Sequence, residues 1–415
     1  MKTAAVIAEY NPFHNGHAWQ LSKIRELASP DYIVVVLSGD YVQRGTPAIL
    51  DKYSRAEMAL RCGADLVLEL PLAASCGSAQ RFAEGAAAIL DGLGAVDELW
   101  FGSEAGTEAP FLTLPGILLE EPESYQRALK DALRNGISFP AARLQALEQY
   151  LSGSPENHKA AEAASALAAA GGIRSFLSSP NNILGLEYCL ALRQRGSSIR
   201  PRTLPRIGSS YHQAELSATF SSATAIRRAL LDTGADAVRG QMPEEIFPLL
   251  ERARKSSGLL TEDDFSLPLK YQLLKETPES LTRYLDVSSD LAARICNCLN
   301  NFYSFSQFAE LLKTRNITRT AVNRALLHIL LGLTAKDSEA AAAPAFARML
   351  GLRSGCALPA AVRDAGALPL ITKPASLPAG AYDKELFASN LYETVRSQKS
   401  RQPFVHEYSR KFLFL

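Results

Sequence analysis

An apolar run, Thr3-Ala4-Ala5-Val6-Ile7-Ala8, passes into Glu9-Tyr10-Asn11-Pro12-Phe13-His14-Asn15-Gly16-His17 and straight on into an amphipathic segment. The run reads as a buried strand, and the spacing over residues 17–27, closed by Ser29-Pro30, predicts a helix. A strand that yields to a helix within a few residues marks a βα unit, and the pattern repeats. Residues 32–37 predict a second strand, ended by the turn Ser38-Gly39-Asp40. A helix over 51–62 leads through Gly63 to an apolar strand at 66–70, and a helix over 81–90 leads to a strand at 98–101. This alternation predicts an α/β fold, a Rossmann-like parallel sheet with helices on its faces. Ligands of such sheets bind beyond the carboxyl ends of the strands, where His14, Gly39-Asp40 and Gly102 fall.

Further on, residues 129–172 are alanine-rich and helical in pattern, 199–204 carry a weak strand signal, and 222–231 read as a helix. From about residue 240 Leu and Ile recur at helical spacing (246–250, 281–285, 308–312, 321–331), with an αβ-like stretch over 350–371. At 415 residues the chain is too long for one ordinary core. The expected division is 1–238, an α/β domain, and 239–415, a mainly helical C-terminal domain.

Lys+Arg 44 against Asp+Glu 43 leaves a net charge of +1, so any nucleic-acid face must be a local patch. There is no signal-peptide pattern at Met1 and no apolar run approaching the roughly 18 residues of a membrane span. Six cysteines are scattered. The close pair Cys296-Asn297-Cys298 lies in a predicted helix, where neighbours two apart point to different sides, and no second pair completes a zinc site. Reduced thiols in a cytoplasmic protein are expected, with no membrane role.

Two of the six histidines sit in one H-x-G-H element where the first strand becomes a helix. A helix N-terminus presents unpaired N–H groups and a partial positive charge, which suits phosphate. His14 and His17 can reach one phosphate group from the loop and the first turn, and Gly16 lets a ligand approach the backbone. Phosphoryl and nucleotidyl transfer are catalysed mainly by positioning and electrostatic stabilisation, which these residue types supply. Glu9 and Asp40, at strand ends, are placed either to help hold Mg2+ or to cap backbone; the metal ligands stay unassigned.

The element resembles that of the HIGH-motif nucleotidyltransferase superfamily. Its second superfamily signature is similar to Phe220-Ser221-Ser222-Ala223-Thr224-Ala225-Ile226-Arg227-Arg228, with Ser222 and Thr224 as hydroxyl donors and Arg227 as a cation, although Ser-Ser there also reads as a helix N-cap. Further segments resemble the bacterial tRNA(Met) cytidine acetate ligase family. They are 38–48 (SGDYVQRGTPA), Phe101-Gly102-Ser103-Glu104, 179–185 (SPNNILG), Arg206-Ile207-Gly208, 318–324 (TRTAVNR) and Ala388-Ser389-Asn390-Leu391-Tyr392.

That resemblance implies an enzyme that joins acetate to ATP as acetyl-adenylate and passes the acetyl group to the wobble cytidine of elongator tRNA(Met). It implies ATP contacts at Ile7, Ala8, Glu9, Tyr10, Asn11, Pro12, Phe13, His14, Asn15, Gly16, His17, Ala18, Trp19, Gln20, Gly102, Asn181, Arg206, Ser222 and Thr224, with Mg2+ accompanying ATP. His14, His17 and Arg227 take the catalytic roles. Of Asn181 and Asn182, one is expected to cap a helix and Asn181 to meet the ligand. Lys313, Arg315, Arg319 and Arg324, in a stretch of 311–330 without acids, are the expected tRNA contacts. A second basic stretch, 390–415, interleaves Arg396, Lys399, Arg401, Arg410 and Lys411 with Tyr392, Phe404 and Tyr408, which could stack bases. The alternative reading is a small-molecule adenylyltransferase of the same superfamily. The oligomeric state is not legible.

Overall fold

The computed structural model describes residues 1–153, 158–206, 220–365 and 368–415. Ile207-Gly208 of the motif beginning at Arg206 lies outside the described residues. Two compact units emerge, Met1–Val96 with Gly208–Leu415, and Asp97–Ile207.

The first unit holds strands β1 (Thr3–Ala8), β2 (Tyr32–Ser38), β3 (Tyr41–Val42), β4 (Thr46–Pro47) and β5 (Leu66–Leu70). β1 and β2 pair in parallel, Val6 opposite Val35, and β2 and β5 pair in parallel, Val35 opposite Val67. Apart from Thr3, Ser38 and Glu69 their residues are apolar on both faces, and almost all are buried, as a sheet covered on both sides requires. The helices Asn15–Ala28, Lys52–Arg61 and Ala79–Gly92 supply that cover. Each expected strand and helix of this region is present within a few residues of its expected bounds.

One feature here exceeds the sequence reading. β3 and β4 form a small antiparallel hairpin in the loop after β2. Gly45 at its tip has φ +72°, and a side chain there would lie 2.3 Å from the backbone nitrogen of Arg324, so only glycine lets the hairpin close onto the middle of helix Arg319–Leu331.

The second unit carries β6 (Glu98–Ser103) and β7 (Arg200–Pro205), paired in parallel, with helices in residues 109–153 and 158–194 between them. Back in the first unit, the C-terminal part is not helical throughout. β8 (Ala347–Leu352) runs antiparallel to β5 and pairs in parallel with β9 (Leu370–Ile371) and β10 (Leu413–Phe414), so the chain's end returns to the N-terminal sheet. β8 is buried like the strands it joins and, Arg348 aside, apolar.

Candidate active site

β1 ends at Ala8, and Glu9–Phe13 form the corner before helix Asn15–Ala28. Tyr10 and Phe13 are buried with ring centroids 4.7 Å apart and pack against His17, at 4.7 and 5.5 Å. The Asn11-Pro12 peptide is cis. His14 is the helix N-cap in extended conformation, and its Nδ1 accepts the Gly16 N–H at 3.1 Å. His17 reciprocates, its Nδ1 accepting the His14 N–H at 3.2 Å. Two imidazoles thus form a capping box, a task usually given to Ser or Thr with Glu.

This arrangement fixes chemistry as well as geometry. A neutral imidazole whose Nδ1 accepts carries its proton on Nε2. The two rings stack 3.7 Å apart with planes 26° from parallel. The corner therefore offers two N–H donors at the positive end of a 14-residue helix. Ala18, Trp19 and Gln20 follow in its first turns, half-buried, while Ile7 and Ala8 close the strand.

The second signature comes to the same place. Arg227, in helix Ala223–Asp232, donates from Nη1 to the Asn11 carbonyl at 2.6 Å and from Nη2 to Thr224 Oγ1 at 3.2 Å. Ser222 is that helix's N-cap, its Oγ accepting the Ala225 N–H at 3.1 Å. Asn15 Nδ2 donates to the Gly240 carbonyl at 2.9 Å, a second tie. Segments 216 residues apart in sequence are thereby joined by Arg227.

Within the second unit, Gly102, Asn181 and Arg206 gather around Glu104. Asn181 Nδ2 donates to Glu104 Oε1 at 2.5 Å, and Arg206 Nε lies 3.8 Å from the same oxygen. A side chain at Gly102 would meet Arg206 Cγ at 3.4 Å. The asparagine division differs in detail from expectation. The N-cap of helix Pro180–Gln194 is Ser179, and buried Asn182 ties down the end of β6, accepting from Ser103 Oγ at 2.8 Å and the Glu104 N–H at 3.0 Å.

Residues 1–406 match the family model HIGH Nucleotidyl Transferase. The tRNA(Met) cytidine acetate ligase of Acetivibrio thermocellus is 38% identical over 90% of this chain and 88% of its own, and that of Clostridium acetobutylicum 37% over the whole of both. The chain belongs to the tRNA(Met) cytidine acetate ligase family of HIGH nucleotidyl transferases. Two crystal structures of Thermotoga maritima TmcAL match over the full length of both chains. The apo form has a TM-score of 0.90 at 32% identity, and the form bound with alpha-thio ATP 0.87 at 31%.

Against that family background, the basic segments divide unevenly. Lys313 pairs with Glu310 at 3.0 Å, Arg319 lies 3.6 Å from Glu262, and Arg324 is largely covered, 3.8 Å from Asp286. Arg315 is exposed and has no ion-pair partner among the described residues. In the tail, Arg396 is buried in a bidentate pair with Glu393 at 2.5 Å, Lys399 pairs with Asp264 and Arg410 with Glu393. Tyr392 is not a stacking surface. It is 2% exposed and donates to the Ala48 carbonyl, because helix Asp383–Ser400 buries that face, whereas Phe404 and Tyr408 are exposed.

The carboxylates considered for Mg2+ are held by backbone. Glu9 Oε1 accepts the Gln43 N–H at 2.9 Å, fixing the hairpin loop, and buried Asp40 accepts the Lys52 N–H at 3.0 Å. No cluster of three His, Cys, Asp or Glu suited to a metal occurs among the described residues. These side chains do not fit a protein-built magnesium site.

Sequence reasoning passed over the residues that hold this end of the sheet. Arg55 and Lys52, in helix Lys52–Arg61, are both wholly buried. Arg55 donates to the carbonyls of Leu50 (3.0 Å), Glu9 (2.7 Å), Ser38 (3.0 Å) and Gly39. Lys52 Nζ lies 2.8 Å from Glu69, 2.9 Å from Glu407 and 2.8 Å from Ser389 Oγ. The available signal was spacing: Lys52, Arg55, Ala56 and Ala59 share one helical stripe, so both cations lie on the face that should be buried.

Proposed function

We propose that this protein activates acetate with ATP and acetylates the exocyclic amine of the wobble cytidine in elongator tRNA(Met). The observation that carries the reading is the stacked His14–His17 pair, with both Nδ1 atoms engaged by backbone, set beside Arg227 at the end of β1. Family membership supplies the substrate class, since relatives 34–38% identical bear the ligase name.

In the first step an acetate oxygen attacks the α-phosphorus of ATP and the bond to the bridging oxygen breaks, releasing pyrophosphate. Negative charge builds on the non-bridging and leaving oxygens, and aligned cations and N–H donors stabilise it. His14 and His17 take that role through Nε2–H, with Arg227 as the fixed cation. Ser222 and Thr224 flank it at the start of the next helix. The segment from Ile7 to Gln20 with Gly102, Asn181 and Arg206 completes the proposed ATP contacts. Mg2+ comes with the nucleotide, held by phosphate oxygens and water, as this ion commonly is.

In the second step the cytidine amine attacks the acetyl carbonyl, the C–O bond to phosphate breaks, AMP leaves, and the amine loses a proton. Cytosine's amine is a weak nucleophile because its lone pair is delocalised, which is why the mixed anhydride is required. No enzyme nucleophile takes part. Cys76 and Cys189 are buried and their thiols are pushed well above the usual range by burial, so neither is a thiolate. Arg315, with Lys313 and Arg319, is the proposed tRNA contact, and the cytoplasm the place of work.

The test is incubation with ATP, labelled acetate and tRNA(Met), following label into RNA and release of AMP. The reading expects both. Adenylation of a small acceptor without label in RNA would favour a small-molecule adenylyltransferase instead.

A further inference from the structure

The carboxyl ends of parallel strands are where ligands of this fold class bind, yet an anion placed there meets carbonyl oxygens whose dipoles point negative charge at it. Here those carbonyls are withdrawn. Glu9 follows β1 directly, Ser38 ends β2 and Gly39 follows it. The carbonyls of all three accept N–H bonds from one guanidinium, that of Arg55, which takes the Leu50 carbonyl as well. Arg55 is fully buried and forms no ion pair among the described residues. Its positive charge is therefore met by carbonyl dipoles rather than by a carboxylate oxygen in contact. Asp40, Asp51 and Glu9 are the carboxylates whose charges act on it from nearby.

We infer that Arg55 is a positioning residue for the nucleotide, a buried cation that takes the strand-end carbonyls of Glu9, Ser38 and Gly39 out of the path of the polyphosphate and offsets their negative potential. The inference rests on the reading that the Ile7-to-Gln20 segment binds ATP. It adds a residue that does not touch substrate but sets the charge of the floor beneath it. An alternative limited to folding makes a different prediction: loss of Arg55 would then disturb the adenosine and phosphate parts of the ligand alike.

The experiment measures dissociation constants of ATP, ADP and AMP by calorimetry on the full chain, for the parent and for Arg55→Met, Arg55→Gln and Arg55→Lys. In the neutral variants the loss should be graded with phosphate charge, about tenfold or more for ATP, smaller for ADP and smallest for AMP. Gln keeps two N–H donors for the carbonyls, so it separates charge from hydrogen bonding. Lys keeps the charge and should hold the ATP-to-AMP affinity ratio close to the parent's. Equal losses for all three nucleotides, or a Lys ratio that falls like that of Met, would overturn the inference. So would neutral variants that fail to fold while Lys folds, since the charge would then serve the core. A parent that binds no ATP would instead remove the proposed function itself.

Discussion

The histidine corner and the buried cluster around Lys52 are both dense polar sites at the same end of the sheet, and they are built in opposite ways. At the corner, each imidazole is held by a backbone N–H two or three residues away, as in Gly16 to His14 and His14 to His17. Around Lys52 the partners are distant. Glu69 lies 17 residues on, Ser389 337 residues on, and Glu407 closes the cluster from the C-terminal tail. Tyr53 donates to Glu407 at 2.8 Å and Tyr382 to Glu69 at 3.0 Å, so the cluster is hydrogen-bonded throughout. Local ties preorganise a ligand site with little demand on the rest of the fold, whereas distant ties join the chain's end to its beginning.

The sharpest way to break this contrast is Lys52→Met. It takes the ammonium from buried Glu69 and Glu407 and leaves only Arg348, 4.0 Å from Glu407, to face them; losing one partner of such a set costs about 3–5 kcal/mol. Chemical denaturation should show that loss. A change under about 1 kcal/mol would mean the cluster does not hold the tail to the sheet.

A smaller effect separates the cations of the basic segment. Arg315→Glu should weaken tRNA binding about tenfold and lower the salt dependence by one to two phosphate contacts, while leaving ATP binding as it was. Arg324→Ala should act mainly on stability, because its guanidinium is covered and faces Asp286. Gel-shift titrations across salt concentrations check both, and equal tRNA losses would erase the distinction.

The smallest expected effect concerns pH. Burial pushes the Asp40 carboxyl up to about 6, against an ordinary value of 3.8, with Lys52 and Arg55 opposing the rise and Glu407 and Glu69 adding to it. Between those two values the native state holds a proton that the unfolded chain has released, so this group's contribution to stability falls as pH rises from about 4 to 6. Asp40→Asn keeps the acceptor for the Lys52 N–H and should flatten that slope by a few degrees in Tm at most. An unchanged slope would remove Asp40 from the account.

The same contrast explains what could be read beforehand. β1, β2 and β5 were legible because strands buried on both faces are continuous apolar runs, and the H-x-G-H corner because its geometry is local. β8 and β10 were not legible as part of the N-terminal sheet, since nothing near residue 347 specifies a partner at Leu66, nor anything near 413 one at Gly351. The stretch 311–330 looked uniformly basic because Glu262, Asp286 and Glu310, which meet its charges, lie outside it. Tyr392 looked available for stacking because its burial depends on residue 48. Arg55 was hidden by its type: arginine is usually read as surface, and only the shared stripe with Ala56 and Ala59 argues otherwise.

The central claim is that His14 and His17 act as paired Nε2–H donors to a nucleoside triphosphate. Calorimetric titration of ATP with Mg2+ into the parent and the His14→Ala/His17→Ala double variant tests it most directly, with thermal unfolding of both recorded alongside. The account predicts clear binding by the parent and a loss of at least about thirtyfold in the variant, with stability reduced only by the about 1–2 kcal/mol of a lost helix cap. Equal ATP affinity in the two proteins would contradict it.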